Sequence, residues 1–162
     1  MQIKIITTGG TFDKVYFDAA SEFRFGDTIV GELLAEANVD FEFEVESLMQ
    51  KDSLDMVDAD RERILRAVEQ SAGDRILIIH GTDGLVATAQ CLLGVQGKTV
   101  VLFGAMQPAR MRYSDASYNL GFASAAVQLL PHGVYLAMNG RVFDPRKVTK
   151  NRARSRFEAH DE

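Results

Sequence analysis

A single cysteine, Cys91, is all that the 162 residues contain, which excludes an internal disulfide and a cysteine-rich metal site. Its neighbours Ala89, Leu92 and Leu93 mark it as a residue of a helix core, not a reactive thiol. No apolar run approaches the roughly 18 residues of a membrane span. The N-terminus also lacks a basic region followed by an apolar stretch of signal-peptide length. A soluble, cytoplasmic protein with no membrane partner is therefore expected. Positive charge is not in excess: the formal net charge of −5 disfavours nucleic acid as a partner. A basic run does occur at Arg146, Lys147, Lys150, Arg152, Arg154 and Arg156. It lacks the interleaved aromatics on which single-stranded nucleic acid stacks. Repeats and low-complexity stretches are absent too. What remains is an ordinary globular composition, 46% apolar and 25% charged, expected to form one domain over 1–162 with a sizeable core.

The chain is organised around Ile76–Gly84. Ile76, Leu77, Ile78 and Ile79 form an unbroken apolar run, as in a strand buried on both faces. His80–Gly81–Thr82–Asp83 ends it, and Leu85, Ala89, Leu92 and Leu93 then recur at the spacing of one helix face. Buried strands are also expected at Gln2–Thr8, Lys98–Phe103 and Val134–Met138. Phe41–Leu48 alternates apolar and acidic residues, which suits a strand at the sheet edge. Helices are expected from an Asp27 cap to Ala37, over Ala59–Ser71, and after a Ser114 cap. Gly9–Phe25 shows no period and reads as a long mobile loop, of the kind that closes over a site. Asn139–Glu162 reads as a loop-rich, partly basic tail.

Alternating strands and helices predict an α/β fold: a doubly wound parallel sheet of flavodoxin-like form, strand order 2-1-3-4-5, with helices on both faces. Its switch point falls between the first and third strands, where Thr8–Thr11 and His80–Asp83 meet in one crevice. Glycines at 9 and 10 allow close backbone approach, and free N–H groups there suit an anion or oxyanion. A phosphate site is one reading, but G-x-x-x-x-G-K-[ST] and G-x-G-x-x-G are both missing. The hydroxyls of Thr11 and Thr82 beside Asp83 suit nucleophilic catalysis instead, with backbone N–H groups of Gly10 or Thr82 as oxyanion donors. His80 reads as a hydrogen-bonded structural residue. The residues alone thus point to acyl transfer or hydrolysis.

T-G-G-T at 8–11, H-G-T-D at 80–83, G-A-M-Q-P at 104–108 and V-T-K at 148–150, in this order and at strand ends, resemble the bacterial-type L-asparaginases. The resemblance corresponds to the N-terminal domain of the two-domain enzymes. It implies hydrolysis of asparagine to aspartate and ammonia without metal or cofactor. Thr11 is then the nucleophile, and Thr82, Lys150 and Asp83 form a second hydroxyl–amine–carboxylate set. Asp83 also meets the substrate's α-ammonium, Ser53 its α-carboxylate, and the Ala105 carbonyl its side-chain amide. Gly10 and Gly81 line the substrate, and Asp52 stands in for a polar group missing at Leu54. The chain departs from the family pattern at Gly84, where a threonine is usual, and at Gln107, where an arginine is usual. The tyrosine that usually assists the nucleophile has no match at Phe23 or Phe25. Tyr16 is the nearest phenol and is expected to close over Thr11. A homodimer or tetramer is expected to wall off the site, with Glu158, Asp161 and Glu162 of the tail 151–162 reaching a partner. A catalytically silent amino-acid-binding protein of the same fold is the alternative.

Overall fold

In the computed structural model, residues 1–160 are described. The apolar runs form the middle of a six-stranded sheet. β1 (Gln2–Gly9), β5 (Arg75–Ile79), β6 (Thr99–Phe103) and β7 (Gly133–Met138) are parallel neighbours. Ile76–Ile79 and Val100–Phe103 have no solvent exposure, because helices cover both faces of the sheet. β4 (Glu42–Lys51) pairs with β1 on the outer side, and β8 (Arg141–Phe143) closes the other edge antiparallel to β7. The sheet therefore runs β4-β1-β5-β6-β7-β8. Its five parallel strands stand in the spatial order second, first, third, fourth, fifth.

The acids of β4 have a local reason. Lys4 lies opposite Glu44 in the register and ion-pairs with Glu44 at 2.8 Å and Glu46 at 3.0 Å. A charged edge strand also resists pairing with a second sheet. Four helices carry the chain between parallel strands: α1 (Val30–Glu36), α2 (Asp58–Gln70), α3 (Leu85–Cys91) and α4 (Ala116–Leu129). α2 packs beside α3, while α1 and α4 share a groove, so the layers are helix, sheet, helix. None of the helices among the described residues is long and apolar enough to cross a membrane.

Several sequence expectations are corrected. The segment 9–25, read as a loop, holds an antiparallel hairpin of β2 (Lys14–Phe17) and β3 (Glu22–Phe25). Its strands are four residues each, too short to display a period. The tail, read as loop-rich, is a second hairpin of β9 (Val148–Asn151) and β10 (Arg156–Ala159), preceded by β8. Each hairpin turns through a 3₁₀ segment followed by a serine in the left-handed region, Ser21 (φ 50°) and Ser155 (φ 48°). The β7–β8 turn is Asn139–Gly140, both at positive φ, the two-residue hairpin signal that Asn-Gly carries. Thr28 rather than Asp27 receives the Val30 N–H at the start of α1. Cys91 is exposed, not core: it lies two positions beyond buried Ala89, about 200° around the helix. Asp161 and Glu162 lie outside the described residues.

Candidate active site

Three strand ends converge above the sheet. Gly10 adopts φ 71°, and a Cβ on it would lie 2.5 Å from the Gly81 nitrogen. The two motif loops are thus in backbone contact, and only glycine fits both the space and the dihedral. Thr8 Oγ1 fastens the same ends by donating to the Ile79 carbonyl at 2.9 Å. On the far side, a Cβ on Gly104 would press on the His80 carbonyl, while His80 N–H donates to Phe103 O at 2.9 Å. These contacts bring together the loops that carry Thr11 and Thr82, the residues after Gly10 and Gly81.

Lys150 completes the arrangement from the second hairpin. Its Nζ donates to Thr82 Oγ1 at 2.8 Å and to Asp83 Oδ1 at 2.7 Å, across a sequence separation of 68 residues to Thr82. The hairpin that carries it is moored by Val148 and Phe157, each 2% exposed. The side chain of Lys150 is 16% exposed, so the amine is in the protein and not on a solvated face. Burial alone would raise the Asp83 carboxyl, but the Lys150 hydrogen bond and the charges of Lys150 and Arg152 outweigh it and hold the group below the usual carboxylate value. Hydroxyl, amine and carboxylate therefore stand in hydrogen-bonded sequence.

Ser53 lies beneath this set, buried, and accepts the Gly84 N–H on its Oγ at 2.9 Å. Its own proton stays available to a ligand. The glycine at 84 now has a physical reason: a Cβ there would meet Ser53 Cβ at 2.8 Å and His80 Cε1 at 3.2 Å. A β-branched residue at 84 would require the Ser53 turn to ride higher. Asp52 caps that turn by accepting the Leu54 N–H at 3.0 Å, and Lys14 Nζ sits 3.4 Å from its other oxygen. Ala105 is buried, between a Gly104 carbonyl held by Asn119 Nδ2 at 2.9 Å and Met106 and Gln107 amides held by Asp115. Tyr16 lies on β2, 53% exposed, its ring set edge-on to that of Phe23 with the centroids 5.4 Å apart. Its hydroxyl has no hydrogen-bond partner among the described residues.

Sequence reasoning missed Asp115 and Asn119, which position the Ala105 loop. An i, i+4 Asp/Asn pair just after G-A-M-Q-P was the available signal. His80 is structural: it is fully buried, Nδ1–H donates to Gly81 O at 2.8 Å, and Nε2 accepts from Thr88 Oγ1 at 2.8 Å. Among the described residues, no group of three or more His, Cys, Asp or Glu side chains is gathered as a metal-binding set.

Two buried groups set opposing pH dependences. Burial pushes His80 down to about 4, outweighing the Gly81 hydrogen bond, with the charge of Arg61 adding to the fall. Burial pushes Asp13 up to about 6 against the opposing Thr28 hydrogen bond and Arg110 charge. The His80 contribution is present above the unfolded value of 6.5 and is lost as pH falls through about 4. The Asp13 contribution is present below 3.8 and is lost as pH rises through about 6. Each amounts to about 3 kcal/mol, so they nearly cancel over the same window. Asp13→Asn should unmask His80: its unfolding free energy should fall by about 3 kcal/mol between pH 6.5 and 4, where the parent stays flat. Parallel curves in urea titrations at the two pH values would refute this.

The family model described as "Asparaginase, N-terminal" matches residues 2–161. The probable periplasmic L-asparaginase of Haemophilus influenzae is 32% identical over 160 residues, covering 91% of this chain and 46% of its own length. L-asparaginase 2 of Escherichia coli is 40% identical over 82 residues, 48% of this chain and 24% of its own. Among solved structures, the thermostable L-asparaginase from Thermococcus kodakarensis superposes with a TM-score of 0.85 at 25% identity, covering 98% of this chain and 51% of that one. The probable cytoplasmic L-asparaginase from Campylobacter jejuni gives 0.82 at 27%, with the same coverage. The chain spans about half the length of the relatives it matches along most of its sequence.

Proposed function

Since this chain belongs to the asparaginase family, through the N-terminal domain that it matches over 2–161, we propose that it hydrolyses L-asparagine to L-aspartate and ammonia through a threonine acyl-enzyme. The observation that carries this reading is Lys150 Nζ bridging Thr82 Oγ1 and Asp83 Oδ1. That geometry suits passage of a proton between a hydroxyl or water and an amine held in place by a carboxylate. Thr11 attacks the side-chain amide carbon and forms an ester. The C–N bond breaks, and the leaving nitrogen takes a proton to depart as ammonia. Water, deprotonated through Thr82 and Lys150, then cleaves the ester to the carboxylate and restores the Thr11 hydroxyl.

Ser53 Oγ–H and the Asp83 carboxylate suit the α-carboxylate and α-ammonium of a zwitterion, and the Ala105 carbonyl suits the amide N–H₂. Gly10, Gly81 and Asp52 line the same crevice. The direct test is ammonia release from asparagine and glutamine by the purified chain. Aspartate binding without ammonia release would assign it instead to the silent amino-acid binders.

Tyr16 is proposed as the group that assists Thr11. The hairpin carrying it has its base at the Asp13 carbonyl, which accepts the Gly26 N–H at 3.0 Å, so β2–β3 can tilt as a unit over the crevice. Tyr16→Phe should slow turnover by about 100-fold, the scale of one positioned proton-transfer group, and leave aspartate affinity intact. Turnover within a few-fold of the parent would return Tyr16 to an ordinary hairpin aromatic. Association into a homodimer or tetramer, with a neighbouring copy walling off the site, is also proposed; a monomer in light scattering that still turns over asparagine contradicts it. A cytoplasmic location also belongs to the proposal.

A further inference from the structure

Asp83 carries two cations before any substrate arrives. Lys150 Nζ at 2.7 Å and Arg152 Nε at 3.0 Å both contact Oδ1, and among the described residues Oδ2 accepts no side-chain hydrogen bond. The two cations differ in kind. Lys150 is mostly buried and also bonds Thr82, whereas the Arg152 side chain is 65% exposed and, among the described residues, makes no hydrogen bond to Thr82. Its position is nevertheless built. Arg152 opens the 3₁₀ turn Arg152–Arg154 between β9 and β10. That turn is fixed by Asn151 Oδ1, which accepts the Arg154 N–H at 3.2 Å, and by Glu158, which accepts from Asn151 Nδ2 at 3.2 Å and Arg154 at 2.9 Å. Arg154, in the same turn, is thereby occupied with Glu158, leaving Arg152 to reach Asp83.

The charge count follows directly. One carboxylate faces two basic side chains, the Lys150 amine and the Arg152 guanidinium, and the nearby Lys14–Asp52 pair is neutral as a pair. A substrate ammonium placed on Oδ2 would be the third cation around a single anion, within a few ångströms of a guanidinium. At that separation, and at the screening of a partly exposed site, the repulsion is worth roughly a factor of ten in binding. If Arg152 swings into water instead, the ammonium replaces a contact the protein already had. Its net gain from Asp83 is smaller by a similar factor.

We infer that Arg152 is a specificity-determining residue: by loading a second cation onto Asp83 it disfavours a free α-ammonium and tilts the site toward ω-amides whose α-nitrogen is absent or acylated. The inference rests on the reading of the site given above, in which Asp83 faces the substrate's α-substituent. The ω-amide that is broken and the ammonia that is released are the same for both classes of substrate; the acid released is aspartate from asparagine, and succinate or an N-acylaspartate from the others.

The test uses the full chain and two substrates, L-asparagine and succinamic acid, which is asparagine without its α-amino group. Ammonia release gives KM and kcat for the parent, Arg152→Gln and Arg152→Lys. Arg152→Gln should lower KM for asparagine about ten-fold and not lower that for succinamic acid, so the preference for asparagine rises. Arg152→Lys, which keeps the cation, should stay near the parent. A KM for asparagine that is unchanged or raised in Arg152→Gln, or an equal change for both substrates, overturns the inference while leaving the amidohydrolase reading intact. No ammonia from either substrate with the parent overturns both. Matching thermal midpoints of parent and variants separate a charge effect from a folding defect.

Discussion

Lys150→Met is expected to reduce asparagine turnover by about 1,000-fold while changing the unfolding free energy little. The size follows from the removal of a group that both moves a proton and orients the hydroxyl it serves, within the range of 10²–10⁴ for general acid–base groups. Stability is expected to be largely spared because methionine is unbranched, flexible and close in length to the lysine stem it replaces. One cost remains: Asp83 keeps Arg152 but loses its closer cation, and at 25% exposure water replaces that partner. The measurement is a pair of experiments on one preparation, steady-state ammonia release and urea unfolding. A variant that retains a tenth or more of parental turnover would place Lys150 among surface cations and remove the main support for the relay.

Gly10→Ala should be among the most damaging single methyls in the chain. The added carbon would lie 2.5 Å from the Gly81 nitrogen and 2.7 Å from the Gly81 Cα, backbone atoms that have nowhere to rotate. Backbone at φ 71°, ψ −178° is almost reserved for glycine and adds about 1–3 kcal/mol for any residue with a Cβ. Relief requires the loops after β1 and β5 to separate, which moves Thr11 away from Thr82. Misplacement of about 1 Å costs on the order of 100-fold in rate, and overpacking of this kind costs about 1–3 kcal/mol in stability. The expected result is a folded, destabilised protein with turnover reduced by at least about 100-fold. Comparing its circular dichroism and melting midpoint with its ammonia release checks both halves. Parental activity would show that the two loops are not held in contact during turnover.

The sheet was legible wherever an apolar run is unbroken. Ile76–Ile79 and Val100–Phe103 have no polar residue to confuse their reading, and burial on both faces leaves no alternation to find. The crevice was legible because the motif residues sit at the ends of those runs, and topology brings such ends together. The short strands were not legible. Lys14–Phe17 and Arg156–Ala159 are stabilised by pairing within their hairpins, not by a periodic buried face. Asn139–Gly140 was a readable hairpin signal, overshadowed by the basic residues that follow it. Cys91 was assigned to the core from its neighbours' identity; its angular position around α3 gives the other answer. Asp115 and Asn119 belong to a helix by sequence and to the Ala105 loop by contact, a relation that only the folded chain displays.

The two hairpins are moored differently, and that difference separates their opening energies. β9–β10 drives Val148 and Phe157 into the core, whereas β2–β3 leaves Tyr16, Phe17 and Phe23 largely in water and joins the body at its base. Backbone amides of β2–β3 should therefore exchange hydrogen for deuterium through a low-energy local opening, and those of β9–β10 only when much of the core opens with them. Lys150 on Thr82 should thus be held as durably as the fold, while the Tyr16 phenol proposed to assist Thr11 should come and go. Freezing β2–β3 carries an entropic toll absent from β9–β10, so the barrier to acylation should hold the larger entropic part and the barrier to deacylation the smaller. A protease would find the same asymmetry, nicking at Asp18–Ala20 long before it found Arg152–Arg154.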